Sequence, residues 1–134
     1  MGRQLNNFET LKKENELSLV FKNGRTIKST GYVKATYLFV DSGESKTVKS
    51  AIATPSRSGN SVWRNRFKRL IRESIKLELN IINEIIDSKN SGMLIIYSPH
   101  MISQKSRKKL FLNEIHHDVI DILKNISSTI KSEQ

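Results

Sequence analysis

The chain has 134 residues and a formal net charge of +10, because 23 lysines and arginines outnumber 13 aspartates and glutamates; this length suffices for one compact domain and is too short for two. The absence of cysteine excludes disulfides, thiolate zinc sites and cysteine nucleophiles, and no apolar run approaches the ~20 residues of a membrane span. We therefore expect a soluble, cytoplasmic domain that binds a polyanion and uses neither a membrane nor a small-molecule cofactor.

The chain is predicted to follow the element order α-β-β-α-β-α. The elements are a helix over 11–22, strands over 26–40 and 47–54, a helix over 61–79, a strand over 93–97 and a helix over 109–126. Thr10 or Asn15 is expected to cap the first helix at its start, and Gly24 to end it. A turn at 41–44 predicts that the strands on either side of it form a hairpin, with an extra strand near 26–29 as an alternative.

This order is typical of one domain of the α+β or α/β class, a two-layer sandwich in which helices cover a mixed sheet of about four strands. The core is expected over about residues 9–126, with 1–8 and 127–134 as frayed tails. Where a helix joins two parallel strands of one sheet, the crossover is right-handed in about 98% of proteins, so a right-handed connection is expected here as well.

The positive charge is concentrated in residues 51–72, which hold six basic groups and no acidic group. At about 100° per residue, the helix in this segment separates an apolar arc from a basic arc. The apolar arc holds Trp63, Phe67, Leu70, Ile71 and Ile75, and the basic arc holds Lys68, Arg69, Arg72 and Lys76, with Arg64 and Arg66 near its borders. No acid occurs in the helix before Glu73, so the basic arc is predicted to contact phosphates rather than neighbouring carboxylates.

Other candidate groups are interpreted structurally or left open. Trp63 lies on the apolar arc and is expected to pack in the core rather than to stack on a base. The acidic stripe of Glu114, Asp118 and Asp121 is expected to be the solvated face of the last helix, and His100 a solvated loop histidine. A loop with Lys105, Arg107, Lys108 and Lys109 is either a second nucleic-acid contact or a device for solubility.

Residues 59–73 carry a specific resemblance. Their sequence is Gly-Asn-Ser-Val-Trp-Arg-Asn-Arg-Phe-Lys-Arg-Leu-Ile-Arg-Glu, and it resembles the signature of the bacterial ribonuclease P protein subunit: Gly-Asn, Arg-Asn-Arg, Lys-Arg and Arg-Glu at the same spacings. Residues 11–13 and 20–24 resemble the first helix of that family and its closing Phe-x-x-Gly. The resemblance covers about residues 9–126.

The resemblance implies a small subunit of a ribonucleoprotein endoribonuclease that removes the 5′ leader of precursor tRNA. The partners it implies are a catalytic RNA, which carries the chemistry and binds most of the Mg²⁺, and precursor tRNA; no side chain of this protein is expected to be catalytic. Carried over by position, the residues facing the catalytic RNA are Arg57, Asn60, Arg64, Asn65, Arg66, Lys68, Arg69 and Arg72. The residues lining a cleft for the leader are Phe21, Lys13, Tyr32 and Tyr37, where Tyr37 shares a strand face with Ala35, a position often aromatic in the family.

The resemblance also implies a left-handed β-α-β crossover, against the general rule. Two alternatives stay open from the residues themselves. One is an RNA-binding protein without a part in catalysis, such as a small ribosomal protein or an RNA chaperone. A DNA-binding helix-turn-helix fits less well, because the basic helix follows a strand pair rather than a short helix and turn.

Overall fold

A computed structural model describes residues 8–41 and 46–133, which form five strands and four α-helices. In chain order these are β1 (Phe8–Thr10), α1 (Glu14–Asn23), β2 (Arg25–Lys28), β3 (Val33–Val40), β4 (Val48–Ile52), α2 (Ser61–Leu77), α3 (Leu79–Lys89), β5 (Gly92–Pro99) and α4 (Leu112–Ser132). A 3₁₀ helix over Ser56–Ser58 precedes α2. The predicted α+β class and mixed sheet are confirmed, with five strands instead of about four and with the alternative strand near 26–29 present as β2.

The strand order in the sheet is β1-β4-β5-β3-β2, with β4 parallel to β1 and β5 and with β3 antiparallel to β5 and β2. The predicted hairpin across 41–44 is therefore wrong, because β5 lies between β3 and β4, and the hairpin is β2–β3. Residues 42–45 of its turn lie outside the described residues. Strand β5 is buried on both faces from Gly92 to Tyr97, which is typical of a central strand. The handedness of the crossover from β4 through α2 and α3 to β5 stays a prediction, left-handed by the family resemblance and right-handed by the general rule.

Two apolar clusters lie on opposite faces of the sheet. Helices α2, α3 and α4 cover one face, where the strands contribute Val33, Ala35, Tyr37, Val48, Met93, Ile95 and Tyr97. Helix α1 covers part of the other face, where Val20 packs against Leu94 and Ile96. The predicted packing of helices on a mixed sheet is thus confirmed, with α1 on the second face in addition to the two layers expected. The face beside α1 is the less completely covered of the two. None of the helices in the described part of the chain is long and apolar enough to span a bilayer.

The start of α1 differs from the prediction, whereas its end agrees with it. Neither Thr10 nor Asn15 caps the helix: Thr10 belongs to β1, and Lys13 holds the N-cap position without a side-chain hydrogen bond. Gly24 ends the helix as predicted, and its N–H donates to the Val20 carbonyl at 2.8 Å. A Cβ at Gly24 would lie 2.5 Å from that carbonyl oxygen and 2.9 Å from the Tyr37 carbonyl oxygen, so the close approach of helix and strand requires glycine.

The expected tails and the long helix also need correction. Residues 8–10 form β1, and α4 continues to Ser132 with Ile130 buried, so the ordered core extends beyond 9–126 at both ends. Residues 1–7 and 134 lie outside the described residues. The predicted helix over 61–79 ends at Leu77, and α3 begins two residues later. The sequence does not mark this break, because apolar residues continue at helical spacing through α3.

Tyr97 supplies a pH-dependent prediction. It lies in β5 and is almost fully buried, and burial raises its pKa above the ordinary value of about 10. The folded protein therefore holds the phenolic proton more tightly than the unfolded chain, so this stability is complete below about pH 10 and is lost as the pH rises further. We expect Tyr97→Phe to reduce the alkaline fall in the free energy of unfolding, measured by urea denaturation along a pH series. An equal fall in both proteins would assign it to other groups.

Candidate nucleic-acid interface

Helix α2 begins at a tightly bonded turn. Asn60 is its N-cap, and the side-chain oxygen accepts a hydrogen bond from the Trp63 N–H at 2.9 Å. Gln104 bonds the same turn from a distant loop: its N–H donates to the Ser58 carbonyl at 2.7 Å, and its side-chain oxygen accepts from the Asn60 N–H at 2.9 Å. A Cβ at Gly59 would lie 2.9 Å from the Gln104 Cβ, so glycine is needed for this contact. The start of α2 is thereby held in one position.

Two arginines on opposite sides of the α2 start are oriented by backbone carbonyls. The Arg64 Nε donates to the Gly59 carbonyl at 3.0 Å. The Arg66 Nε and Nη2 donate to the Leu110 carbonyl at 3.0 and 2.7 Å. Each guanidinium keeps further N–H donors for a ligand. These bonds restrict long, flexible side chains before any ligand binds, which lowers the entropy lost on binding.

The remaining cations of α2 point away from the core. All five residues of the predicted apolar arc are buried, at 0 to 3% exposure, which confirms the division of the helix. We call Lys68, Arg69, Arg72 and Lys76 the α2 cationic face. Within residues 8–41 and 46–133, none of these four side chains forms a hydrogen bond or an ion pair. Lys68 is half-buried and the other three are exposed, as are Arg57 and Asn65. This surface is positively charged and uncompensated, as a phosphate-binding surface would be.

Trp63 packs in the core, as its place on the apolar arc predicts. It is 3% exposed, its indole stacks on the Phe67 ring with 6.1 Å between centroids, and its Nε1 donates to the Arg107 carbonyl at 2.9 Å. The Arg107 side chain is also engaged: it contacts both carboxylate oxygens of Glu114 at 2.5 Å and lies over the Tyr32 ring. Of the basic loop, Arg107 therefore has a structural role, whereas Lys105, Lys108 and Lys109 are exposed.

The acidic stripe of α4 is not the solvated face that the sequence predicts. Asp118 is 4% exposed, and its Oδ2 accepts from the Tyr32 N–H at 2.9 Å. The Asp121 Oδ2 accepts from the Thr30 N–H at 2.9 Å. With Glu114 bound to the basic loop, all three carboxylates are used in tertiary contacts, which the spacing within one helix cannot show. No group of three or more His, Asp or Glu side chains in the described ranges is placed to hold a metal ion.

The sheet face beside α1 is the candidate leader cleft. Phe21 of α1 is 64% exposed, and Lys13 at the start of α1 is exposed as well. The strands add polar and basic residues that alternate with core positions, and we call this set the open sheet face: Lys28, Lys34, Thr36 and Ser98. Partial burial lowers the pKa of the nearby His100, and the positive charges of Lys28 and Lys34 lower it further. This side of the protein therefore combines an exposed aromatic ring with a cationic floor.

The two predicted cleft tyrosines lie elsewhere. Tyr37 does share a face with Ala35, but that face is covered by the helices, and Tyr37 is 4% exposed. It cannot line the cleft, so this prediction is wrong. Tyr32 precedes β3, packs against the same core and contacts Arg107. Lys34 and Thr36 were not predicted for this face, although both alternate with buried residues along β3 and could have been found by that signal.

Comparison with known proteins agrees with the fold and with the α2 motif. The family model described as Ribonuclease P matches residues 5–124. The chain is 34% identical over 79 residues to the ribonuclease P protein component of Lachnoclostridium phytofermentans, covering 59% of this chain and 65% of that protein. It is 33% identical over 73 residues to the ribonuclease P protein component of Staphylococcus epidermidis, covering 54% of this chain and 61% of that protein.

The chain thus spans slightly less than two thirds of the length of these two curated relatives. Its fold is similar to that of the RNase P protein from Thermotoga maritima, with a TM-score of 0.69 and 18% identity, over 87% of this chain and 96% of that one. The family model covers most of the sequence, including the whole of the α2 motif. The chain therefore belongs to the ribonuclease P family.

Proposed function

We propose that this chain is the protein subunit of a ribonuclease P, a cytoplasmic ribonucleoprotein that cleaves the 5′ leader from precursor tRNA. The RNA subunit supplies the chemistry and binds most of the Mg²⁺, while this chain binds RNA. One observation carries the proposal: α2 buries its whole apolar arc and leaves its cationic face without partners in the described part of the chain. Family membership supports the assignment of the polyanion as the catalytic RNA.

The α2 cationic face suits a folded RNA backbone. Cations spaced along a helix reach successive phosphates, and binding releases the counterions condensed on the RNA, so affinity falls steeply with salt. Arg64 and Arg66 add planar donors that carbonyls already orient, and guanidinium groups bind phosphate oxygens in pairs. The proposed role of Arg57, Asn60 and Asn65 is to extend these contacts around the start of the helix.

The open sheet face suits a single-stranded leader. Phe21 offers a ring on which a base of any identity can stack, and Lys28 and Lys34 offer charges for the backbone. Stacking combined with a cationic track binds single strands with little sequence preference, as a leader that differs between tRNA precursors requires. Lys13 is proposed to extend this track at the start of α1.

Reconstituted cleavage at limiting Mg²⁺ tests the function. Added to the catalytic RNA, the chain should tighten binding of precursor tRNA that carries a leader much more than binding of leaderless tRNA. Phe21→Ala should remove about 5-fold or more of that preference, because base stacking on an aromatic ring contributes about 1–3 kcal/mol. Phe111→Ala is a matched control, since Phe111 is also an exposed ring but lies at the N-cap of α4.

Two outcomes would contradict this function. Equal effects on the two substrates would exclude the leader cleft and favour an RNA-binding protein without a part in cleavage. A loss of preference in Phe111→Ala as large as in Phe21→Ala would place the leader elsewhere.

A further inference from the structure

The loop over 103–110 runs along the first turns of α2 and is bonded to it at several points. Gln104 bonds the turn before the helix, the Arg107 carbonyl accepts from the Trp63 indole at 2.9 Å, and the Leu110 carbonyl accepts from the Arg66 guanidinium. Successive loop residues therefore follow the helix from its entry to its sixth residue. The loop is thus bonded to α2 at both ends of this stretch.

Two further sets of contacts hold the loop, one within the loop itself and one with α4. Ser103 and Ser106 bond each other, and the Arg107 N–H donates to the Ser103 carbonyl at 2.8 Å, which closes a tight turn. The Arg107 side chain is bound by Glu114 of α4. One cation of the loop is thus used as an internal anchor, and its backbone is fixed on both sides.

The other three cations of this loop are exposed. Lys108 and Lys109 lie between the Arg107 carbonyl on Trp63 and the Leu110 carbonyl on Arg66, so their backbone is held beside the first turns of α2. Lys105 follows Gln104 in the same way at the helix entry. None of the three lysines forms an ion pair or a hydrogen bond within the described ranges. The backbone that carries three uncompensated lysines is therefore held beside the first turns of α2, with Lys105 at the helix entry and Lys108 and Lys109 near Arg66.

We propose that Lys105, Lys108 and Lys109 form a second phosphate-binding row for the catalytic RNA, and that Gln104 is the positioning residue that aligns this row with α2. The proposal rests on the proposed function, because it takes the same RNA as the ligand. The row lies beside Arg66 at the start of α2. Arg66 stands at the border between this row and the α2 cationic face. The lysine row and the α2 cationic face would then both bind phosphates of the RNA backbone near the start of the helix.

The test is the affinity of the catalytic RNA alone, measured over a salt series without tRNA. Lys105→Ala, Lys108→Ala and Lys109→Ala together should weaken binding about 10-fold or more and lower the salt slope by roughly 2, since each phosphate contact contributes about 0.7–0.9. Lys124→Ala with Lys131→Ala removes two exposed lysines of α4 and should change affinity less than twofold. Binding within twofold of the unmodified protein in the loop variant would overturn the second row.

Gln104→Ala tests the positioning role separately. It removes no charge, so any loss must come from misplaced lysines: affinity should fall about 3-fold or more, and the salt slope should fall by less than in the triple lysine variant. Amide exchange at Asn60 should accelerate because its bond to the Gln104 side chain is lost. An unchanged affinity would overturn the role of Gln104. If a variant of the α2 cationic face loses binding while the triple loop variant binds fully, only the second row is rejected. If both variants bind fully, the proposed function is rejected.

Discussion

Replacing Lys68, Arg69 and Arg72 together by alanine is expected to weaken binding of the catalytic RNA on the order of 100-fold. Each side chain offers charged donors to phosphate, and hydrogen bonds to charged groups are worth about 1.5–3 kcal/mol, part of which solvent screening removes at an exposed site. The slope of log affinity against log salt should fall by roughly 2 to 3. Filter binding or fluorescence titration over a salt series measures both quantities.

The fold should tolerate this change. None of the three side chains has a partner in the described part of the protein, and the buried arc of α2 is left intact. The thermal midpoint should therefore stay within a few degrees of that of the unmodified protein. Lys124→Ala with Lys131→Ala serves as the comparison, because it removes two of the exposed lysines of α4 and leaves α2 intact. Equal RNA binding by the α2 variant and the unmodified protein would mean that the RNA contacts another surface.

Gly31→Ala is expected to destabilise the protein by about 3 kcal/mol. A Cβ at Gly31 would lie 2.7 Å from the Asp118 Cγ and closer still to both carboxylate oxygens. Asp118 is buried and accepts from the Tyr32 N–H, so it cannot move aside without losing that bond. Overpacking costs about 1–3 kcal/mol and a lost hydrogen bond to a charged group about 1.5–3 kcal/mol. Urea denaturation measures the change in the free energy of unfolding.

A double-mutant cycle identifies the cause. In a background of Asp118→Ala the carboxylate is absent, so the further cost of Gly31→Ala should be much smaller than in the unmodified protein. Thr30→Ala is a control in the same turn, because its N–H still bonds Asp121 and its side chain is exposed. Equal costs of Gly31→Ala in the two backgrounds would show that contact with Asp118 is not the reason for the instability.

The most accurate sequence predictions concern α2. Its apolar residues recur at helical spacing and its cations occupy the other arc, so local periodicity determines which side chains are buried. The structure agrees at every residue from Trp63 to Ile75 that was assigned to the apolar arc. The end of the helix could not be found in this way, because the apolar spacing continues into α3. At the break, the Glu78 side chain contacts His116 of α4, a contact that local spacing cannot show.

The errors in the sheet have one physical origin. Alternation correctly groups Ala35 with Tyr37 but does not tell which face the helices cover, and this put Tyr37 in the cleft instead of the core. The same limit applies to the hairpin, since nearness in sequence favours pairing of neighbouring strands, while the apolar β5 takes the central place between β3 and β4. Strand order depends on contacts between residues that are far apart in the sequence, and local propensity has little influence on it.

Three properties of α2 follow from the amino-acid sequence alone: its apolar arc, its cations and the motif that marks the family. These properties are local, because they depend on residues three or four positions apart. Which of the charges are free, in contrast, depends on how the chain folds. The folded chain engages Arg107 and the acidic stripe of α4 in internal contacts, and it orients Arg66 with the carbonyl of Leu110, which is distant in sequence. The reason is that a charge is available to RNA only if no other part of the folded chain has already bound it.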